Sequence, residues 1–353
     1  DEIGHLFGDR PGGDNDFANA GNWSPASVPD ASTMVVVDSN ARISLAPGET
    51  FPVHALLVTG TNNVVSGTNA LLVIGESCTL DGGALQLDAP TVVTNAAVLR
   101  NGASLTHAAN GAADVYEVNL AVLGDLTVDA ASRITARGKG YSLRNGYPGS
   151  RTGNLAAHGG RPRYGTDSCA CYGSALRPRT SGSSTDSYGR GGGRVYLRVG
   201  GTATVDGEVQ ADGSRGEWTS AAGGSVFMTA GRLAGSGRIS ADAGTPTVNT
   251  DSGGGRVAVY LTGTSDFGAF AGIISAYGSR DTQPGSVPRS SAGTVYLQGA
   301  DGQGFMVIDN DGGTKGNNAH KFIADFPVPG ERGGDPAKAY KDTVFIVRDS
   351  GGI

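Results

Sequence analysis

Between Arg137 and Arg198 the chain carries eleven basic residues against two acidic ones, Asp167 and Asp186. Six of the arginines, Arg144, Arg151, Arg161, Arg163, Arg177 and Arg179, fall in a stretch at 139–189 that is rich in Gly, Ser, Pro and Tyr. A guanidinium is a planar fork that grips carboxylate, sulfate or phosphate through two parallel hydrogen bonds. On a chain of net charge −6, such a basic surface predicts an anionic polysaccharide, or the acidic flank of another copy, as partner. A second reading is that these arginines hydrogen-bond loop carbonyls and hold a glycine-rich excursion in place. Nucleic acid is not an expected partner, since no recognised binding motif is present and the whole chain is acidic.

Other residues that could do chemistry are dispersed. Hydrolysis of a glycan needs two carboxylates on one groove, and lyase chemistry needs a base beside groups that neutralise a uronate. Asp206, Asp212, Asp242 and Asp251 lie in the repeat region, but acidic residues are expected at corners there, and they suggest no catalytic set. The five histidines, His5, His54, His107, His158 and His320, stand singly and read as surface or loop residues, not ligands. Asp309-Asn310-Asp311-Gly312-Gly313 offers oxygen ligands of the kind calcium takes, without EF-hand spacing or a closing Glu, so turn chemistry is the better reading and no cofactor is expected. Cys78, Cys169 and Cys171 are an odd number; a bridge from Cys78 to one of the others is one option.

The elements that must carry these residues are legible from repetition. Gly191-Gly192-Gly193-Arg194-Val195-Tyr196-Leu197 returns at 222–228, 253–259 and 291–297, so Val195, Val226, Val257 and Val295 mark a period of 31, 31 and 38 residues. A second column follows, Ile134-Thr135-Ala136, Val209-Gln210-Ala211, Ile239-Ser240-Ala241 and Ile274-Ser275-Ala276. Its alternation with period two buries one face. Identical inward residues at equivalent positions suit parallel strands stacked at about 4.8 Å. The predicted fold is all-β, a right-handed parallel β-helix (a solenoid) with Ile134, Val209, Ile239 and Ile274 as a core column. Arg133, Glu208 and Arg238 precede that column and predict a ladder with a carboxylate between two guanidiniums. Tyr196, Phe227 and Tyr296 form an aromatic column interrupted by Ala258, to be covered by loops or to stack on sugar rings.

Fifty-nine glycines lack the every-third spacing of collagen and serve corners. Residues 1–32 are expected to cap the open first turn, with Trp23 and Phe17 as plugs. The β-helix should span 33–313, interrupted by the excursion at 139–189, and 314–353 should be a carboxy-terminal extension or cap. Phe322 to Phe326 and Thr343 to Val347 read as strands around the Pro/Gly-rich stretch Pro327 to Pro336. No apolar run is long enough to span a bilayer. Asp1 suggests a processed chain, which makes secretion an expectation.

The Gly-Gly-Gly-Arg-Val-Tyr-Leu motif at 191–197, the Gly-Ser-Gly-Arg-Ile-Ser-Ala-Asp motif at 235–242 and the Asn22-Trp23-Ser24-Pro25 segment with Val28-Pro29 together resemble the glycine-rich β-helical repeat regions of large secreted bacterial surface proteins of the autotransporter or adhesin kind. The resemblance covers roughly Trp23 to Gly299 and implies an extracellular scaffold or adhesin on the bacterial cell surface. Some members of the wider pectate-lyase-like superfamily cleave acidic polysaccharides. The expectation is therefore a non-enzymatic structural protein that associates with copies of itself into a filament or surface layer. The alternatives are an adhesin for acidic polysaccharide and a polysaccharide lyase or glycosidase.

Overall fold

The computed structural model describes residues 2–6, 14–38, 40–162, 169–186, 189–215, 219–245, 252–279, 290–311 and 340–348. Arg163, Asp251, His320, the strand expected at Phe322 to Phe326 and most of the extension expected at 314–353 lie outside these residues. The described chain is all-β apart from one 3-10 turn, Ala20–Asn22, and its sheets are long and mostly parallel.

The chain visits three strand ladders in a fixed order. Thr33–Val37, Arg42–Ser44 and Thr50–Val53 are followed by Ala55–Val58, Asn63–Ser66 and Leu71–Ile74, and each strand pairs in parallel with its counterpart one circuit later. The middle ladder is an eight-stranded sheet running from Arg42–Ser44 to Ile273–Ser275, built of strands only three or four residues long. The outer two ladders merge into one larger sheet because Arg194–Val205 and Ser225–Ala234 run through both, with a register shift between Val199 and Thr202. Glycine permits that continuity. Gly200 lies so close to the Leu123 carbonyl that a Cβ could not be accommodated.

Inward residues of all three ladders join one apolar cluster that extends from Phe17 to Val295. The expected column is there: Ile134 pairs with Val209, Val209 with Ile239, and Ile239 with Ile274. The first three are fully buried and Ile274 partly so. Leu105 precedes them in register.

At the amino-terminal end, Asp14 collects the side-chain amides of Asn19 and Asn22, tying segment 14–22 into a compact knot. Phe17 and Trp23 are buried edge-on at 5.2 Å, and Phe17 meets Phe51 at 5.0 Å, so aromatic faces close the core there. The Phe17 N–H donates to the Ser44 carbonyl and Ser44 returns a bond to Asn15, which covers the free edge of the middle sheet.

At the other end Thr294–Gln298 meets Gly304–Asp309 in the antiparallel sense, and Thr343–Arg348 runs parallel to the latter. The last of these strands leaves Val344, Phe345 and Val347 exposed.

Candidate functional site: the corner loops and the arginine excursion

One corner carries every long loop of the repeat. The chain leaves the middle sheet after Ala136, Ala211, Ala241 and Ala276, and the carbonyls of these alanines accept N–H bonds from Gly193, Gly224, Gly255 and Gly293, each at 2.7 Å. The loops 137–192, 212–223, 242–254 and 277–292 therefore share one hydrogen-bonded neck.

The longest of them, which contains the basic stretch, lies back on the glycine columns of this corner. Gly159 and Gly160 donate to the Gly254 carbonyl, Gly182 to Gly192, Gly253 to Ala156, and the Ser225 hydroxyl to the Thr180 carbonyl. The closest of these contacts require glycine: a Cβ on Gly159 would collide with the Gly255 carbonyl.

The structure distributes the arginines between two roles. Arg151 pairs with Asp186 and bonds the Gly153 carbonyl within the excursion. Arg179 pairs with Glu117 and stacks over the Tyr196 ring at 4.0 Å. Arg190 reaches the carbonyls of Gly138 and Asn110. Arg194 reaches the carbonyls of Arg179 and Tyr116 and faces Glu117 at 3.6 Å. Arg161 is half-buried, its carbonyl accepting from Ser291. Only Arg144 and Arg177, of the six named from sequence, are exposed without an ion pair among the described residues. The five that are described thus do not form one binding face, and Arg163 lies outside the described residues.

Arg256, the arginine of the third Gly-Gly-Gly copy, is fully buried, with Nε donating to the Tyr172 carbonyl and Nη1 to the Thr294 hydroxyl. Its strap role was recoverable from the motif, because Arg194 and Arg256 occupy the same repeat position.

The aromatic column is continuous after all. Ala258 breaks the register, but Tyr260, two residues on, stacks into the gap, giving Tyr196, Phe227, Tyr260 and Tyr296 with successive centroids 5.3, 5.5 and 5.5 Å apart. Leu176 and Ala175 of the excursion pack on this strip, and its carbonyl at Leu176 accepts from Tyr260. Neighbouring rings and Arg179 occupy the ring faces, so the strip is covered by loop and offers no open platform to sugars.

The charged ladder has the expected register, Arg133 beside Glu208 beside Arg238, but no ion pair joins them among the described residues. Arg238 turns instead to Asp242, Glu208 accepts from the Gln210 amide, and Arg133 reaches Ser104 at 3.4 Å. Glu208 and Arg238 thus find carboxylate or amide partners on their own strand or corner, and Arg133 turns to the strand on its other side.

Aspartates at the corners share a different device. Asp88, Asp125, Asp206, Asp212 and Asp242 each accept the backbone N–H of the residue in the equivalent position one circuit later: Ala108 at 2.6 Å, Thr202 at 2.7, Ser236 at 3.0, Asp242 at 2.8 and Tyr277 at 2.6. They carry the ladder past the points where backbone pairing stops.

Asp212 and Asp242 are consequently neighbours. Burial and the Asp242 charge push the Asp212 carboxyl up to about 7. Burial also raises Asp242, opposed by Arg238. The matched Ala211-Asp212 and Ala241-Asp242 offsets were the signal for this pair in the sequence.

Two histidines expected at the surface are buried. His107 sits at the alanine position of the column, the counterpart of Ala136, and donates from Nδ1 to the Ala108 carbonyl at 2.6 Å. His158, in the excursion, donates from Nδ1 to the Gly223 carbonyl at 2.7 Å and accepts from the Thr180 hydroxyl at 2.8 Å. Burial drives both imidazoles down to about 3, with Arg256 adding to the effect at His158.

Asn310 is buried between the Gly278 N–H and the Ser290 carbonyl, and Asp309 caps the Asp311 N–H, which is turn chemistry. Among the described residues no cluster of three or more His, Cys, Asp or Glu is arranged to hold a metal ion. Cys78 is a free thiol, and burial in the core pushes it up to about 12.

Comparison with family models, curated proteins and solved structures finds no match to this chain.

Proposed function

We propose that the chain is a right-handed parallel β-helix that serves outside the cell, at a bacterial surface, as a non-enzymatic structural scaffold associating with copies of itself. The three ladders visited in constant order support the architecture, and the resemblance of the repeat motifs supports the location. The observation that carries the scaffold reading is the occupation of the acidic corner residues: five aspartates bond the next circuit's backbone instead of lining an open cleft. Self-association is supported at one end only. Aromatic side chains close the amino-terminal end, whereas Thr343–Arg348 presents exposed Val344 and Val347 on a strand that, among the described residues, pairs on one side with Gly304–Asp309.

A second reading draws on one observation. Paired carboxyls with raised proton affinity, Asp212 and Asp242, resemble the acid and base of a glycan-cleaving enzyme. One experiment separates the two. Wild type, Asp125→Ala, Asp206→Ala and Asp212→Asn are incubated with polygalacturonate, alginate and chondroitin, and melting is followed in parallel. The scaffold reading expects no turnover and, for each alanine variant, a loss of about 1 kcal/mol, the worth of a hydrogen bond. Wild-type turnover that Asp212→Asn abolishes at unchanged melting temperature would establish the enzyme and overturn the scaffold.

A further inference from the structure

The outer face of the middle sheet holds a groove that none of the roles above uses. It has a volume of about 410 Å³ and lies across the first four strands, from Arg42–Ser44 to Ser104–Thr106. Its floor is low because Val64 and Ala84 are small. Asn40 and Asn62 form one wall, joined amide to amide at 3.2 Å. Gln86, Ser104 and Thr106 supply further donors and acceptors.

Two arginines flank the groove, and the acid of this face, Glu208, lies beyond Arg133 on the sixth strand, outside the lining. Arg42 lines the groove at the first strand, and Arg133 stands just past its far end, on the fifth strand, where its Nε meets Ser104. Both are exposed and neither makes an ion pair among the described residues. No carboxylate lines the groove. Asp88, the nearest acid in the sheet's corner column, is turned away to the Ala108 N–H and accepts the Gln86 amide. Four strand steps of about 4.8 Å, roughly 19 Å, separate the strands that carry the two arginines.

We propose that this groove binds a linear, carboxylated polysaccharide lying across the strands. Hydroxyl-bearing rings need side chains that both donate and accept, and Asn, Gln, Ser and Thr do both. An extended sugar chain advances per ring by roughly the strand spacing, about 4.8 Å, so successive rings meet successive strands in the same setting. Two guanidiniums at the ends match carboxylates several rings apart. Single-stranded nucleic acid is the poorer fit, because the groove has no aromatic side chain on which a base could stack. The inference relocates glycan recognition away from the excursion, whose arginines are mostly tied to the body, and it does not depend on the scaffold reading.

Affinity electrophoresis in gels containing polygalacturonate, dextran or single-stranded DNA tests it, with the Arg42→Gln/Arg133→Gln double variant, Ala84→Trp to fill the floor, and Arg144→Gln/Arg177→Gln as the excursion control. The expected result is retardation by polygalacturonate and not by dextran. It should weaken at least tenfold in the double variant and in Ala84→Trp, at unchanged melting temperature, and stay unaltered in the control. Absence of retardation, equal retardation by dextran or by DNA, or loss in the excursion control alone would each overturn the proposal. Ala84→Trp tests shape and the double variant tests charge, so misfolding of either leaves the other decisive.

Discussion

His158 makes acid sensitivity of the excursion a quantitative expectation. The imidazole is held neutral between the Gly223 carbonyl and the Thr180 hydroxyl, and its proton affinity is driven down to about 3 by burial first and Arg256 second. A histidine whose folded value lies below its unfolded one stabilises fully above about pH 6.5 and loses that stabilisation as pH falls toward 3. At about pH 5 the loss is some 1.5 units, or about 2 kcal/mol. His107, depressed by the same cause, adds a similar loss in the core. Asp212 works in the opposite sense: burial and the neighbouring Asp242 raise its carboxyl, so its destabilising effect near pH 7 is relieved as pH falls, which partly offsets the histidine loss in global stability. Because His158 sits in the excursion, its share should appear locally, as faster opening of the Gly159, Gly160 and Gly182 amides that bond the corner. Hydrogen exchange by mass spectrometry at about pH 7.5 and pH 5, corrected for intrinsic rates, reads this opening. Wild type should lose protection at 155–162 by about thirtyfold on acidification, whereas His158→Gln, weaker at both values, should show almost no pH dependence there. Equal pH dependence in the two proteins would refute the assignment of a buried neutral imidazole.

Two further outcomes follow from packing and from the strand edge. Gly224→Ala would drive a Cβ into the Gly193 carbonyl oxygen across the stack, and backbone, not a movable side chain, would have to yield; a loss of about 3 kcal/mol, at the upper end for overpacking, is expected in equilibrium unfolding, against a near-neutral Gly111→Ala, where a Cβ meets nothing and the backbone is not left-handed. Val344→Lys/Val347→Lys, placed on the exposed strand Thr343–Arg348, should abolish concentration-dependent association in sedimentation velocity, and a wild type that stays monomeric at all micromolar concentrations would count against self-association.

Much of this organisation is readable from residue columns alone. The register Ile134, Val209, Ile239 and Ile274 follows from one aliphatic-polar-alanine pattern, because inward side chains in a parallel stack must match in shape from one circuit to the next. Strands Thr50–Val53 and Asn63–Ser66 are hard to read locally, since Pro52 and Asn62-Asn63 look like punctuation, yet each has its partners on adjacent circuits. The fate of the charges was the least legible. A count of arginines in 139–189 says how much positive charge exists but not which partner takes it up: Asp186 is in view within the stretch, whereas Glu117, the partner of Arg179, lies on an earlier circuit and is found only once the chain is folded. His107 illustrates the remedy: aligned under Ala136 it is visibly an inward residue, whereas taken singly it looks like surface.

The shared neck explains how this stack of strands can carry so long an excursion. Closing a flexible loop costs free energy that grows only as the logarithm of its length, about 0.6 kcal/mol per doubling. Loop 137–192 is more than four times as long as loop 212–223, yet both are pinched by the same Ala carbonyl to Gly N–H bond at 2.7 Å. The extra closure cost is therefore only about 1.3 kcal/mol. What is expensive is ordering the loop, and that is offset by its contacts with the glycine columns, by Arg256 beneath Tyr172, and by His158 against Gly223. Insertions at this corner are cheap to close and must provide their own contacts to become ordered. The corner is thus the position in the repeat where new surface can be added without disturbing the stacked columns that hold the fold.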